Sequence, residues 1–235
     1  MIPPGTPNPA HASAFASAPG ENPAAAARLL HRLLWTLPIL ALVAIGAYWI
    51  WSRAANDSPR QHGALPVLAQ APSFSLTEAC GRTVTQADLA GKPWLANFIF
   101  TRCTGPCPEL SLRMRSLQKT FTDRGGDVRF ITFTLDPDYD KPPVLAEYAK
   151  RHYADAGCWW FLTGTDQVSM HRLVREGFLQ AVVPAHDDVP LVHSTYFVLV
   201  DGRGRIRGFY DGLDPSSRSR IVRDVDSLLA EPPGS

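Results

Sequence analysis

The passage from Trp94 to Pro108 constrains this chain more than any other. Trp94 to Phe100 is an apolar run broken only by Asn97. A run of that length reads as a strand covered on both faces, because a half-exposed strand would alternate polar and apolar residues. Cys103 and Cys107 follow in a Pro-containing loop, and from Glu109 to Arg124 the residues Leu110, Met114, Leu117 and Phe121 recur at helical spacing before Gly125-Gly126. A buried strand therefore hands over to a helix with two thiols at the junction. Thiolates there face the positive end of the helix dipole, so the position predicts lowered thiol pKa values. Such a pair serves either to exchange disulfides or to hold a soft metal.

The surrounding pattern alternates strands and helices. Short strands are expected at Ser73–Leu76 and Trp159–Leu162, a longer one at Val128–Leu135, and a helical turn at Gln86–Ala90. Pro142 opens a helix to Tyr153, and Asp166 caps another through Glu176. Thr195–Val200 and Ile206–Tyr210 form a hairpin across Asp201-Gly202-Arg203-Gly204, and a last helix runs from Pro215 to Leu229. The expected fold class is α/β, a thioredoxin-like three-layer sandwich over residues 71–230, with a short tail at 231–235.

Proline distribution separates this domain from what precedes it. Many of the 21 prolines fall in the first 70 residues, and residues 1–32 are rich in Pro, Ala, Ser and Asn, as in a disordered segment. Residues 33–51 carry no charge, and as a helix they would span roughly 28 Å, close to the thickness of a bilayer's hydrocarbon core. Tyr48, Trp49 and Trp51 stand at one end, where an aromatic belt would sit. The reading is a single transmembrane helix followed by a flexible tether at 52–70. Arg28, His31 and Arg32 before the span favour a cytoplasmic N-terminus and a domain on the periplasmic side of an inner membrane. The net charge of +1 is dispersed, which gives no nucleic-acid surface. Four cysteines are too few for a disulfide-stapled scaffold.

Disulfide exchangers generally use C-x-x-C; the extra residue between Cys103 and Cys107 leaves room to bracket an ion. Two thiolates prefer Cu(I), and an added imidazole also suits Cu(II). Among seven histidines, His193 lies immediately before the strand Thr195–Val200 and has the best location for a third ligand, with His186 second. Met114 and Met170 fall at core spacing, and Cys80 and Cys158 show no pairing pattern.

Thr101-Arg102-Cys103-Thr104-Gly105-Pro106-Cys107-Pro108 resembles the T-x-C-x-x-x-C-P motif of the Sco/SenC family of membrane-anchored copper proteins. Leu135-Asp136-Pro137-Asp138-Tyr139-Asp140-Lys141-Pro142 resembles that family's D-P-x-x-D-x-P loop. Tyr148-Ala149-Lys150 with Trp160–Gly164 is similar to its next helix and strand, and Val192-His193-Ser194-Thr195 to the segment carrying its histidine. The resemblance implies a thioredoxin-like fold and one copper held by Cys103, Cys107 and His193. Asp136 and Asp140 would support the site from the adjoining loop, although capping of the helix at Pro142 explains them equally well. It also implies a metallochaperone, not an enzyme, that delivers copper to, or maintains the thiols of, the binuclear copper site in cytochrome c oxidase. The partners would be that copper-site subunit and other copper or thiol-redox proteins. Val192 stands where many members have an aspartate, which bears on how His193 is oriented. Two alternatives remain on the residues alone: a membrane-tethered thiol–disulfide oxidoreductase using Cys103 and Cys107 catalytically, and a peroxiredoxin-like peroxidase, suggested by Thr104 three positions before Cys107.

Overall fold

In the computed structural model the described residues are 38, 40–49, 51–52, 65–184 and 191–231. In chain order the domain contains β1 (Ala69–Gln70), β2 (Ser75–Glu78), β3 (Thr83–Thr85), a 3-10 turn (Gln86–Leu89), β4 (Trp94–Ile99) and α1 (Cys107–Thr122). There follow β5 (Arg129–Thr134), α2 (Pro142–Arg151), β6 (Trp159–Thr163), and α3 (Gln167–Arg172), which runs into a π turn (Leu173–Gly177). The chain closes with β7 (Val182–Val183), β8 (Val192–His193), β9 (Tyr196–Val200), β10 (Arg205–Asp211) and α4 (Ser217–Ala230).

Eight strands form one sheet in the order β1-β10-β9-β4-β5-β6-β2-β3, with β7 and β8 paired apart from it. Strands β4, β5 and β6 are parallel, while β9 lies antiparallel on the other side of β4. The helical crossovers β4–α1–β5 and β5–α2–β6, joined to the β9–β10 hairpin and α4, make the thioredoxin-like arrangement expected from the pattern.

Alternation along the central strands sends side chains to two cores. Leu95 and Ile99 of β4, Phe130 of β5, and Trp159 and Phe161 of β6 pack with Leu110, Met114, Leu117 and Phe121 of α1, Leu145 and Tyr148 of α2, and Ile221 and Val225 of α4. On the opposite face Trp94, Ala96, Phe98, Ile131, Phe133, Trp160 and Leu162 pack with Met170, Val174 and Phe178. Both faces are covered, which is why all six residues of β4 are buried and why the run reads as continuously apolar. One end of the buried Asn97 amide is paired: its Oδ1 accepts from the Thr132 hydroxyl at 2.7 Å, which in turn accepts from Trp159 Nε1 at 2.8 Å, while its Nδ2 has no hydrogen-bond partner among the described residues.

The two ends of the domain meet at Arg207. This buried guanidinium donates to Asp201 at 2.7 Å, to Glu231 at 2.7 Å and to the Leu65 carbonyl at 2.6 Å. Residues 65–70, assigned to the tether from their sequence, lie along the domain instead: Ala69 and Gln70 pair with Ile206 and Arg205. Backbone pairing at a sheet edge needs no apolar pattern, so the sequence carries little sign of it.

The N-terminal unit is described only in part. Residues 38, 40–49 and 51–52 are helical, with Leu40, Leu42, Val43, Ile45, Tyr48, Trp49 and Trp51 exposed. Among the described residues no helix is long and apolar enough to cross a membrane. The expected span of 33–51 includes residues 33–37, 39 and 50, which lie outside the described residues, as do the segment 1–32, residues 53–64 and the tail from 232.

Replacing Arg207 with Met should destabilise the domain by about 3–5 kcal/mol, because two carboxylates lose their shared buried cation. Chemical denaturation of the variant beside the wild type checks this, with an unchanged midpoint ruling out the clamp.

Candidate metal centre

Each thiol owes its place to a different element. Cys103 sits in the turn leaving β4, its N–H donating to the Phe100 carbonyl at 3.1 Å. Cys107 is the first residue of α1, between Pro106 at the N-cap and Pro108 in the first turn, where a missing N–H costs nothing. From there its side chain points into the core with Leu110 and Met114, fully buried, while Cys103 remains partly exposed. All four cysteines carry free thiols.

Burial decides the chemistry of Cys107. Desolvation pushes its thiol far above the ordinary value, and the neighbouring Cys103 adds to the shift, while a backbone hydrogen bond from Phe100 opposes it without prevailing. The sequence-based expectation of a thiol acidified by the helix dipole is corrected at this position. The dipole contributes a fraction of a charge at a partly solvated helix end, and here the sulfur has no water with which to share a negative charge.

His193 arrives from far along the chain, 86 residues after Cys107. It ends β8, and its ring meets Phe100 edge-on with centroids 5.8 Å apart. Nδ1 lies 2.8 Å from the Ser194 carbonyl oxygen, which can only accept, so Nδ1 carries the proton and Nε2 keeps its lone pair. Nε2 lies 3.3 Å from Cys107 Sγ. Burial lowers the His193 pKa, against a smaller opposing effect of the Ser194 hydrogen bond, and keeps the imidazole neutral.

The donor atoms of Cys103, Cys107 and His193 all lie within 4.8 Å of one another. Donors bound to one ion at about 2.0–2.3 Å stand about 3.5–4 Å apart, so side-chain adjustment alone would seat an ion among them. Two sulfurs and an imidazole suit a soft ion.

Asp136 and Asp140 do not join this cluster. Asp140, fully buried, accepts from the Thr101 N–H at 3.0 Å and from the hydroxyls of Thr101 and Thr134. Asp136 accepts from Arg102 at 2.6 Å, and the Arg102 guanidinium lies 4.3 Å from the centre of the Tyr139 ring. Neither carboxylate caps α2, whose N-cap is Lys141 with no side-chain bond. Both instead grip the two residues before Cys103, the supporting place beside the site that the resemblance implied, and the capping alternative falls.

The other candidates fall away from the cluster. His171 is buried with Nε2 at 2.9 Å from the Leu135 carbonyl, and the His152 ring lies tilted against Tyr148 with ring centroids 4.4 Å apart. Met114 and Met170 are core residues, and the Cys80 thiol donates to Glu78 at 2.9 Å. His186, His11, His31 and His62 lie outside the described residues. Unforeseen from sequence is a buried hydroxyl pair, Ser111 and Tyr148 at 2.8 Å, one turn below Cys107; burial pushes the Tyr148 phenol up to about 12.

Comparison with known proteins follows the same outline. The SCO1/SenC family model matches residues 65–230. The SCO1 protein homolog of Bacillus subtilis (strain 168) is 32% identical over 162 residues, covering 69% of this chain and 84% of that protein. Among solved structures, BsSco, a member of the Sco family of cytochrome c oxidase assembly proteins with an identified disulfide switch, is 31% identical. It superposes with a TM-score of 0.66 over 73% of this chain and 100% of that one. ScoI of Bradyrhizobium japonicum, solved with copper bound, is 26% identical with a TM-score of 0.53, covering 68% of this chain and 99% of the other.

Because Cys107 holds its proton through the neutral range and His193 does not, ion binding must displace a thiol proton but no imidazole proton. Affinity for Cu(I) should therefore rise about tenfold per pH unit for each thiol proton displaced, from pH 6.5 upward. Competition titrations at pH 6.5, 7.5 and 8.5 read the slope, and a pH-independent affinity would contradict the assignment.

Proposed function

The chain belongs to the SCO1/SenC family, and from that premise we propose that it is a copper-binding assembly factor for cytochrome c oxidase, holding one copper through Cys103, Cys107 and His193. The observation that carries the reading is the convergence of two thiols and a neutral imidazole, drawn from distant parts of the chain, within 4.8 Å of one another. Structural relatives lend support: ScoI of Bradyrhizobium japonicum was solved with copper bound, and BsSco belongs to a family of oxidase assembly proteins.

Delivery to the oxidase's copper-site subunit would proceed by ligand exchange. Cys103 is the partly exposed sulfur and Cys107 the buried one, so an incoming donor would displace Cys103 first and Cys107 last. The same pair offers a gate. Oxidation of both thiols to a disulfide releases two protons and two electrons to an acceptor, and a disulfide sulfur is no thiolate ligand. With a partner's disulfide as that acceptor, the same step is the thiol-reductase reading, which the closeness of the two sulfurs also permits. Copper delivery would make the protein an assembly factor, whereas catalytic reduction of a partner's disulfide would make it a thiol–disulfide oxidoreductase.

A membrane anchor completes the proposal. The exposed Leu40, Val43, Ile45, Trp49 and Trp51 on one helical segment suit a lipid phase, and a single span at 33–51 would hold the domain on the periplasmic side of the inner membrane. Anchoring raises the effective concentration of the domain near a membrane-bound acceptor. The full chain should then resist alkaline carbonate extraction and enter detergent, whereas a chain starting at residue 62 should remain in the aqueous fraction; extraction of both by carbonate would refute the anchor.

Copper titration of the reduced domain tests the centre itself. The wild type should take one Cu(I) and show thiolate-to-Cu(II) charge-transfer absorption, and His193→Ala should weaken Cu(II) binding at least a hundredfold with loss of that band. Should copper bind weakly and without regard to His193, while Cys103 and Cys107 reduce disulfides with turnover, the thiol-reductase reading takes its place.

A further inference from the structure

The orientation of His193 traces back to a buried amide on another segment. His193 Nδ1–H donates to the Ser194 carbonyl, so the ring is only as well placed as the Ser194 peptide. Two groups of contacts fix that peptide. The Ser194 N–H donates to the Ala181 carbonyl at 2.9 Å. The Ser194 hydroxyl donates to Gln180 Oε1 at 2.7 Å and accepts from the Tyr196 N–H at 3.3 Å. With its one proton and an acceptor site both engaged, the hydroxyl has a defined direction.

Gln180 is equally committed. Its side-chain Nε2 donates to the Phe178 carbonyl at 3.0 Å, and its own N–H donates to the Val174 carbonyl at 3.1 Å. Since a carbonyl oxygen only accepts, the amide nitrogen must face Phe178 and the amide oxygen must face Ser194. Gln180 is 5% exposed, a buried polar side chain with both ends satisfied. The residue before it, Leu179, has φ +58, in the left-handed region leucine seldom adopts, and its side chain is in solvent. A backbone held there is imposed by its surroundings, and such positions concentrate where geometry serves function. Here the unusual turn delivers the Gln180 amide to the interior. Val192, the residue before the histidine, is exposed and offers no polar group to the ring.

Resting on the copper reading above, we propose that Gln180 is a positioning residue for the histidine ligand, acting through the Ser194 hydroxyl to fix the carbonyl that sets the tautomer and angle of His193. Groups that hydrogen-bond a ligating imidazole change metal affinity by about 10–100-fold when removed, and Gln180 acts on such a group, the Ser194 carbonyl, through the Ser194 hydroxyl. Gln180→Leu takes away both side-chain bonds at similar volume, and Ser194→Ala removes only the link between Gln180 and the peptide. The two changes break one chain, so their effects should not add.

The test uses the full chain, reduced, with 15N-labelled histidine. In the metal-free wild type the His193 imidazole should be a single Nδ1–H tautomer; Gln180→Leu and Ser194→Ala should each give mixed tautomers at unchanged far-ultraviolet circular dichroism. Titrated with Cu(II) alone, each variant should bind at least about tenfold more weakly with a shifted thiolate-to-Cu(II) band. The double variant should be no worse than either single one. Gln180→Glu, which when protonated keeps an acceptor for Ser194 and a donor for Phe178, should recover the wild-type band. Wild-type tautomer and copper spectra in Ser194→Ala overturn the proposal, and that variant decides alone if Gln180→Leu does not fold. If the wild type binds no copper yet the tautomer still depends on Ser194 and Gln180, the copper reading fails while the positioning role stands.

Discussion

The Asp140 carboxylate, fully buried beside the end of β5, accepts hydrogen bonds from the Thr101 amide and from the Thr101 and Thr134 hydroxyls, and the cysteine loop hangs from that junction. Thr101 is two residues from Cys103, and Thr134 ends the strand paired in register with β4, Ile99 opposite Thr134. One buried acceptor thus ties the exit of β4 to the exit of β5. Burial pushes the Asp140 carboxyl above its ordinary value, while the three donors around it favour the charged form. Asp136 and Arg102 extend the same staple toward the surface. The loop between strand and helix, which would otherwise be free to move, enters α1 along a defined path.

A second consequence of burial reaches the sulfur itself. The first turn of α1 is the kind of place where a thiol is acidified, yet Cys107 faces the core formed by Leu110, Met114 and Phe197. Desolvation outweighs the dipole, so one thiol of the pair is stored protonated while the other stands at the surface. That asymmetry is what the proposed ion exchange would use, with the partly exposed Cys103 reached first and the buried Cys107 last. It also suits a redox gate, since an oxidant or a partner thiol can reach only one of the two sulfurs.

Much of this was legible in the chain. Trp94 to Ile99 read as a doubly covered strand because both of its faces are in fact packed, and Leu110, Met114, Leu117 and Phe121 marked the buried side of α1 at the correct spacing. Asp166 capped α3, its side chain accepting from the Ser169 N–H. Pro142 at the opening of α2 was also plain. What escaped has a common cause. The Arg207 clamp and the Gln180–Ser194 bond each join residues in different segments, and no local period or motif records such a pairing; the place of Asp140 beside the cysteine loop was implied by the resemblance, but not its hydrogen bonds to Thr101 and Thr134. The pairing of Ala69 and Gln70 with β10 is made by backbone groups, which every residue except proline carries in full.

By itself, then, the sequence determined the local elements and the identity of the donors: a buried strand, two thiols at a helix start, and a histidine near a strand beginning. These follow from periodicity, turn chemistry and side-chain type, which are properties of neighbouring residues. Only the tertiary structure decided that His193 closes on Cys107 across 86 residues, which nitrogen faces the sulfur, and that burial raises the Cys107 thiol. Those outcomes depend on distance and on exclusion of water, and both are set by how the layers pack.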